Sequence, residues 1–194
     1  MDMDHNTLVA IVVAAAVIVI AIVIILYRQR RSRRLKEHFG VEYDRAVLER
    51  GSQTKGEIEL LQREKRVQHF AIKALPAAAR DRYAEEWAAV QRRFVDDPAL
   101  AVGEADSLVN RVMTARGYPM ADFDQRAADV SVTYPTVVQN YRAARIIVQR
   151  HGRGDAGTED LRQAMVHYRS LFDELLDLPK SATATRGYLN ERAS

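Results

Sequence analysis

Gly152, Gly154 and Gly157 spell G-x-G-x-x-G at the opening of a helix-like stretch, with Asp173 further on, the pattern by which a dinucleotide's pyrophosphate and ribose are held. That chemistry needs a strand to deliver the loop and a parallel crossover after it, because backbone N–H groups must point at a phosphate beside a sheet. The residues before the glycines (Val137, Val138, Tyr141, Ala144, Val148) and those after them (Leu161, Met165, Tyr168, Phe172, Leu175) both repeat at helical spacing. The glycines therefore read as a helix–helix linker, and the Arg153-Gly154-Asp155 adhesion tripeptide inside them has no partner on a cytoplasmic loop.

The other chemical motifs fail in the same way. Ser52 to Lys55 fits S-x-x-K, in which a lysine one turn away activates a serine, but the companions S-D-N and K-T-G are missing. The five histidines (His5, His38, His69, His151, His167) form no H-x-x-x-H pair, and none follows a glutamate at the Glu-x-x-His spacing of di-iron bundles. Asp96 and Asp97 are paired carboxylates, yet Asp97 directly precedes Pro98 and reads as a helix cap. With no cysteine, thiolate zinc, iron–sulfur clusters, disulfides and thiol nucleophiles are excluded. The expectation is no catalytic residue, no metal set and no cofactor.

The elements that would position any site begin with residues 8–26, nineteen positions without a charged or hydrogen-bonding side chain. As a helix they span roughly 28 Å at 1.5 Å per residue, the thickness of a hydrocarbon core, and Tyr27 follows as an interfacial aromatic. A cleaved signal peptide fits less well: residues 1–7 carry Asp2 and Asp4 and no cation, and the segment after the apolar block is arginine-rich. The flanking basic cluster is Arg28, Arg30, Arg31, Arg33, Arg34 and Lys36, which by the positive-inside rule places everything after it in the cytoplasm. The same cations can also lean on an anionic leaflet. Ala10 and Ala14 form a small-xxx-small pair that would admit weak homo-oligomerisation through the span.

The charge balance follows from this cluster. Of 29 Lys plus Arg and 26 Asp plus Glu, six of the cations and only two of the acids lie in the first 36 residues, leaving 23 against 24 beyond. A nearly neutral remainder is not a nucleic-acid surface, so no nucleic-acid partner is expected.

Past the anchor no alternating run suggests a strand, and the reading is all-α: an N-terminal transmembrane helix, a charged helical stalk and a soluble helical bundle. The expected divisions are a short N-terminal segment at 1–7, the span at 8–27, a basic juxtamembrane segment and stalk at 28–74, a bundle at 75–178 and a disordered tail at 179–194. The stalk is interrupted by Gly51 and Gly56 and carries Glu59 and Arg63 at i,i+4 spacing. In the bundle, Pro76 opens a helix with the row Tyr83, Trp87, Val90, Phe94; Asp97 and Pro98 open the next, with Ala101, Ala105, Leu108 and Val112, stopped by Gly117. Asp122 and Gln125 suggest a capping box, Pro135 opens a fourth helix, and Thr158 starts the last. The connection 117–135 is rich in aromatics, and Tyr118, Phe123, Arg126 and Tyr134 are its candidate recognition surface.

Through Phe94-Val95-Asp96-Asp97-Pro98, Arg116-Gly117-Tyr118-Pro119 and the stretch from Thr158 to Arg169, the chain resembles a group of uncharacterised bacterial single-pass membrane-anchored helical proteins. The likeness spans residues 35–176. It implies a bacterial cytoplasmic membrane and a helical domain, and it carries no assigned activity. The sequence thus points to a membrane-anchored, cytoplasm-facing interaction or scaffold module, whose partners are the lipid bilayer and a membrane-associated protein. Two alternatives stand beside it: an enzyme with a helical active site acting on a lipid or small metabolite, and a structural membrane oligomer.

Overall fold

The computed structural model describes residues 5–177, with side chains from Val12 onward, and every regular element among them is a helix. The 179–194 tail lies outside the described residues, as do the side chains at 5–11, among them Ala10 of the small-residue pair. The chain divides into two compact units, the first ending at Leu60 and the second beginning at Leu61.

The first unit starts with α1 (His5–Phe39), a single helix that runs from the apolar block through the whole basic cluster without a break. Its apolar stretch from Val12 has a mean hydropathy of 2.5 and is uncovered by any other described residue. One residue, Gly40, turns the chain into α2 (Val41–Arg50). Gly51 then closes α2 in the left-handed conformation, its N–H donating to Leu48 O, and α3 (Gln53–Val67) comes next. Ser52 of the S-x-x-K match accepts from the Lys55 backbone N–H at 3.3 Å, so this serine serves the start of a helix.

Arg28 lies beside Thr54 and Arg31 beside Glu57, twenty-six residues apart in each case. The first part of α3 therefore runs alongside α1 in the same direction, and α2 is the return stroke between them. Gly56 corrects the sequence reading. It does not interrupt a helix; it lies inside α3, where a Cβ would come within 2.8 Å of the Val47 backbone. The crossing of α2 and α3 is close enough that only glycine fits.

The second unit holds α4 (Ala77–Arg93), α5 (Pro98–Arg116), α6 (Phe123–Thr133), α7 (Val138–Gly152) and α8 (Thr158–Leu175). α5 packs on α4 and α8, α7 packs on α8, and α6 packs on α7. The expected rows form the core: Tyr83, Trp87 and Val90, Ala101 to Val112, Val137 to Ala144 and Leu161 to Leu175 are buried, with Phe94 and Val148 half-buried against them. Trp87 stacks on Phe172 at 4.7 Å between ring centroids, and Tyr141 meets Tyr168 edge-on at 6.1 Å.

The expected stops and starts hold with three adjustments. Asp97 accepts from Leu100 N–H, and Gly117 ends α5 at φ 99°, with Tyr118 N–H reaching back to Met113 O. Pro76 caps α4 from just outside its first turn. Pro135 sits in a turn, and α7 begins only at Val138. Asp122 caps α6 through Gln125 N–H at 2.9 Å, but the Gln125 side chain does not complete a box; it donates to Asp129 at 2.8 Å. Asp129 is a buried carboxylate that also takes the Arg66 guanidinium, and charge-assisted bonds there outweigh a reciprocal cap on the surface.

Candidate functional site

The first unit carries a groove of about 710 Å³ between α1 and the first turns of α3. Its floor is Glu57, 5 % exposed, whose Oε1 accepts from Tyr43 Oη and Gln53 Nε2, each at 3.0 Å, while Arg31 Nη2 lies 3.3 Å from Oε2. Ser32 Oγ stands between them, 3.2 Å from Tyr43 Oη and accepting from Gln53 Nε2 at 2.9 Å. Burial pushes the Glu57 carboxyl up, but Gln53, Ser32, Tyr43 and Arg31 together outweigh it and hold the group below the ordinary carboxylate range. Burial in turn raises the Tyr43 phenol, so the donor stays protonated beside its charged acceptor.

The predicted basic cluster divides around this groove. Arg28, Arg33 and Lys36 line it and Arg31 reaches under it to Glu57, whereas Arg30 and Arg34 are exposed on α1 outside its walls. Four cations thus face two carboxylates, and two of them are matched one to one: Arg31 with Glu57, and Arg33 Nε with Glu37 at 2.8 Å. Arg28 and Lys36 remain. Arg28 makes one long hydrogen bond to Thr54 Oγ1, and the Lys36 ammonium has no side-chain partner among the described residues. The neutral lining residues Gln29 and Thr54 add hydrogen-bond donors. Unmatched cations beside neutral donors are able to hold an anionic, oxygen-rich group.

The second unit has a smaller groove of about 230 Å³ between α4 and α5, and there the charges cancel. Arg93 pairs with Glu104 and Arg111 with Glu86, leaving no lining charge for a ligand.

The candidate recognition residues of 117–135 fall into two groups. Tyr118 is 3 % exposed, donates to Thr133 Oγ1 at 3.0 Å and packs on Phe70; Tyr134 lies half-buried with the Arg116 guanidinium over its ring. Arg116 is itself buried and donates to Leu175 O at 2.6 Å, closing the end of α8. Phe123 and Arg126 belong elsewhere, with Tyr141, Arg145, Asp106 and Tyr168. Phe123 packs on Tyr141 at 4.7 Å under Arg145, and Tyr141 Oη donates to Asn110, which donates to Asp106. Burial, with the Asp106 charge adding to it, pushes the Tyr141 phenol up to about 12 and raises Tyr168 further, against the opposing effect of Arg145. Both phenols stay protonated at neutral pH and can donate hydrogen bonds but cannot act as bases.

The glycine motif of 152–157 joins α7 to α8, as the sequence predicts. Arg150 donates to Asp155 O and pairs with Asp160, and Arg153 pairs with Asp155, so the loop's charges are used within the loop. Among the described residues no histidine, aspartate or glutamate group has a metal-binding arrangement.

Sequence reasoning missed Tyr43, Gln53, Thr54 and Glu57. The one available signal was Gly56, whose place beside Glu57 in an otherwise charged helix marks a close crossing. Compared with described protein families, curated proteins and solved structures, the chain finds no match.

Proposed function

We propose that this chain is a membrane-tethered interaction module: the apolar part of α1 crosses a bacterial cytoplasmic membrane, the N-terminus lies outside, and the helical bundle works in the cytoplasm on a membrane-associated protein partner. The observation that carries this reading is the bare apolar helix. From Val12 to Leu26 its large side chains are each 49–61 % exposed, a continuous surface that water does not tolerate and lipid covers.

Two further observations support it. The arginine collar comes directly after the block, the asymmetry that holds a flank in the cytoplasm. Beyond the collar α1 continues unbroken to Phe39, where Leu35 and Phe39 are fully buried, so the helix that leaves the apolar block is also part of a folded core. A signal peptide has no such second duty. Tethering confines the bundle to a thin layer at the membrane and raises its effective concentration toward anything else held there.

The experiment is a carbonate wash of membranes carrying the full chain, combined with C-terminal reporters that work only in the cytoplasm or only outside it. The expected result is retention in the membrane pellet and an active cytoplasmic reporter. Release into the wash, or an active external reporter, overturns the tether or its orientation respectively.

A further inference from the structure

We infer that the groove between α1 and α3 binds the phosphate headgroup of an anionic phospholipid, so that the protein reads the composition of the leaflet in which it is anchored. This rests on the tethered reading above and adds to it a ligand class and a site.

The placement follows from helix geometry. Arg28 stands two residues beyond the end of the apolar block and Lys36 ten, which at 1.5 Å per residue puts them about 3 Å and about 15 Å past the hydrocarbon edge. The headgroup layer is roughly 5–8 Å deep on each side of a bilayer, so the end of the groove at Arg28 opens within it. Because α3 runs alongside α1 with Thr54 at the level of Arg28, its first turn starts at that same depth. α2 is the device that brings the chain back there.

The selectivity follows from the charge pairing. Both lining acids are occupied by Arg31 and Arg33, and Glu57 is further saturated by Tyr43 and Gln53, so neither repels an incoming anion strongly. Arg28 is offered to a phosphate at headgroup depth; the Lys36 backbone lies beyond that layer, and its stem, leaning toward the helix N-terminus as helical side chains do, carries the ammonium back along the groove toward the headgroup's outer end. A zwitterionic headgroup would bring its own ammonium toward Lys36 and lose that contact. An anionic one such as phosphoglycerol brings no ammonium, and its terminal hydroxyls accept hydrogen bonds from Lys36. A volume of about 710 Å³ admits a headgroup of this size.

The test compares the full chain with two double variants of equal charge change: Arg28→Gln with Lys36→Gln inside the groove, and Arg30→Gln with Arg34→Gln outside it. Each is purified in neutral detergent and titrated with phosphatidylglycerol, phosphatidylcholine or soluble glycerol phosphate, and bound lipid is counted by native mass spectrometry. At roughly fivefold per cation near an anionic headgroup, the groove variant is expected to lose phosphatidylglycerol binding by more than about tenfold. The outer variant should lose less than about threefold, and phosphatidylcholine should bind weakly to all three. Equal losses in the two variants, no preference over phosphatidylcholine, or a groove variant that binds as the wild type does would overturn the site. Glycerol phosphate binding as tightly as the lipid would reassign the groove to a soluble phosphate. Circular dichroism of each variant separates lost binding from lost fold. The carbonate wash reads the tether alone, so a membrane-bound protein indifferent to headgroup refutes this inference and leaves the tether standing.

Discussion

The two units are held together by different physics. The second buries an aliphatic and aromatic core, with Trp87 on Phe172 and Tyr141 against Tyr168, and its partnered surface charges cancel in the groove at Arg93 and Arg111. The first has few large apolar side chains in its folded part and organises itself around the Glu57 carboxylate and its donors, leaving Arg28 and Lys36 unmatched. An apolar core tolerates imprecise geometry and stabilises in proportion to area, whereas a buried carboxylate stabilises only when every donor is in place. Of the two grooves, the one beside the Glu57 carboxylate keeps two unmatched cations, and the one in the second unit keeps none.

This contrast breaks most sharply at Phe172. Phe172→Ala removes a buried ring stacked on Trp87 and should destabilise the bundle by about 3–5 kcal/mol, read as a shift of the denaturation midpoint, while amide exchange at 41–60 stays unchanged. Exchange that quickened equally in both units would show that they do not behave separately.

Gly117→Ala ranks next. The residue has φ 99°, and a Cβ would sit 2.3 Å from Ala71 O, in the strap that donates Lys73 N–H to Arg116 O. The left-handed conformation alone costs about 1 kcal/mol, and the clash with backbone adds to it, for a loss of roughly 2–3 kcal/mol by the same denaturation assay.

Glu57→Gln sharpens the comparison from the other side. It should cost about 1–3 kcal/mol at neutral pH, seen as faster exchange at 41–60 with the bundle's midpoint unmoved. Its pH dependence is the finer test. The folded-state carboxyl lies below its unfolded value, so its stabilisation is complete above the unfolded value and is lost as pH falls toward and through the lower one. Protection at 41–60, taken as exchange relative to the intrinsic amide rate at each pH, should therefore fall on acidification in the wild type and fall less in Glu57→Gln. An equal acid response in both would remove Glu57 from the account.

Asp97→Ala is the smallest, about 1 kcal/mol from one lost cap on α5, and only the second unit should register it. Its value lies in scale: a loss matching that of Gly117→Ala would mean that α5 frays further than one turn.

Much of the second unit was legible because its signals are local. Tyr83, Trp87 and Val90, or Leu161 through Leu175, face one side of a helix by spacing alone, and Asp97 and Asp122 cap their own helices through N–H groups three residues on. Gln125 shows the boundary of that logic. Three residues from Asp122 it had the right spacing for a reciprocal cap, but the buried Asp129 one turn further offered a stronger acceptor. The site was half legible. Arg28, Arg33 and Lys36 were singled out as a block of charge, while Gln53, Thr54 and Glu57 were not, because a polar residue on a charged helix has the same signature facing water or facing a groove.

By itself, the sequence determined the helical class, the apolar span with its arginine collar, the caps and the core rows, since each depends on residues within a few turns of one another. Only the tertiary structure decided which cations are spent and which are left, because that requires bringing Arg28 and Arg31 against residues twenty-six positions away. A charge becomes a binding group through its neighbours in space, and those are set by the turns at Gly40 and Gly51 and the close crossing at Gly56.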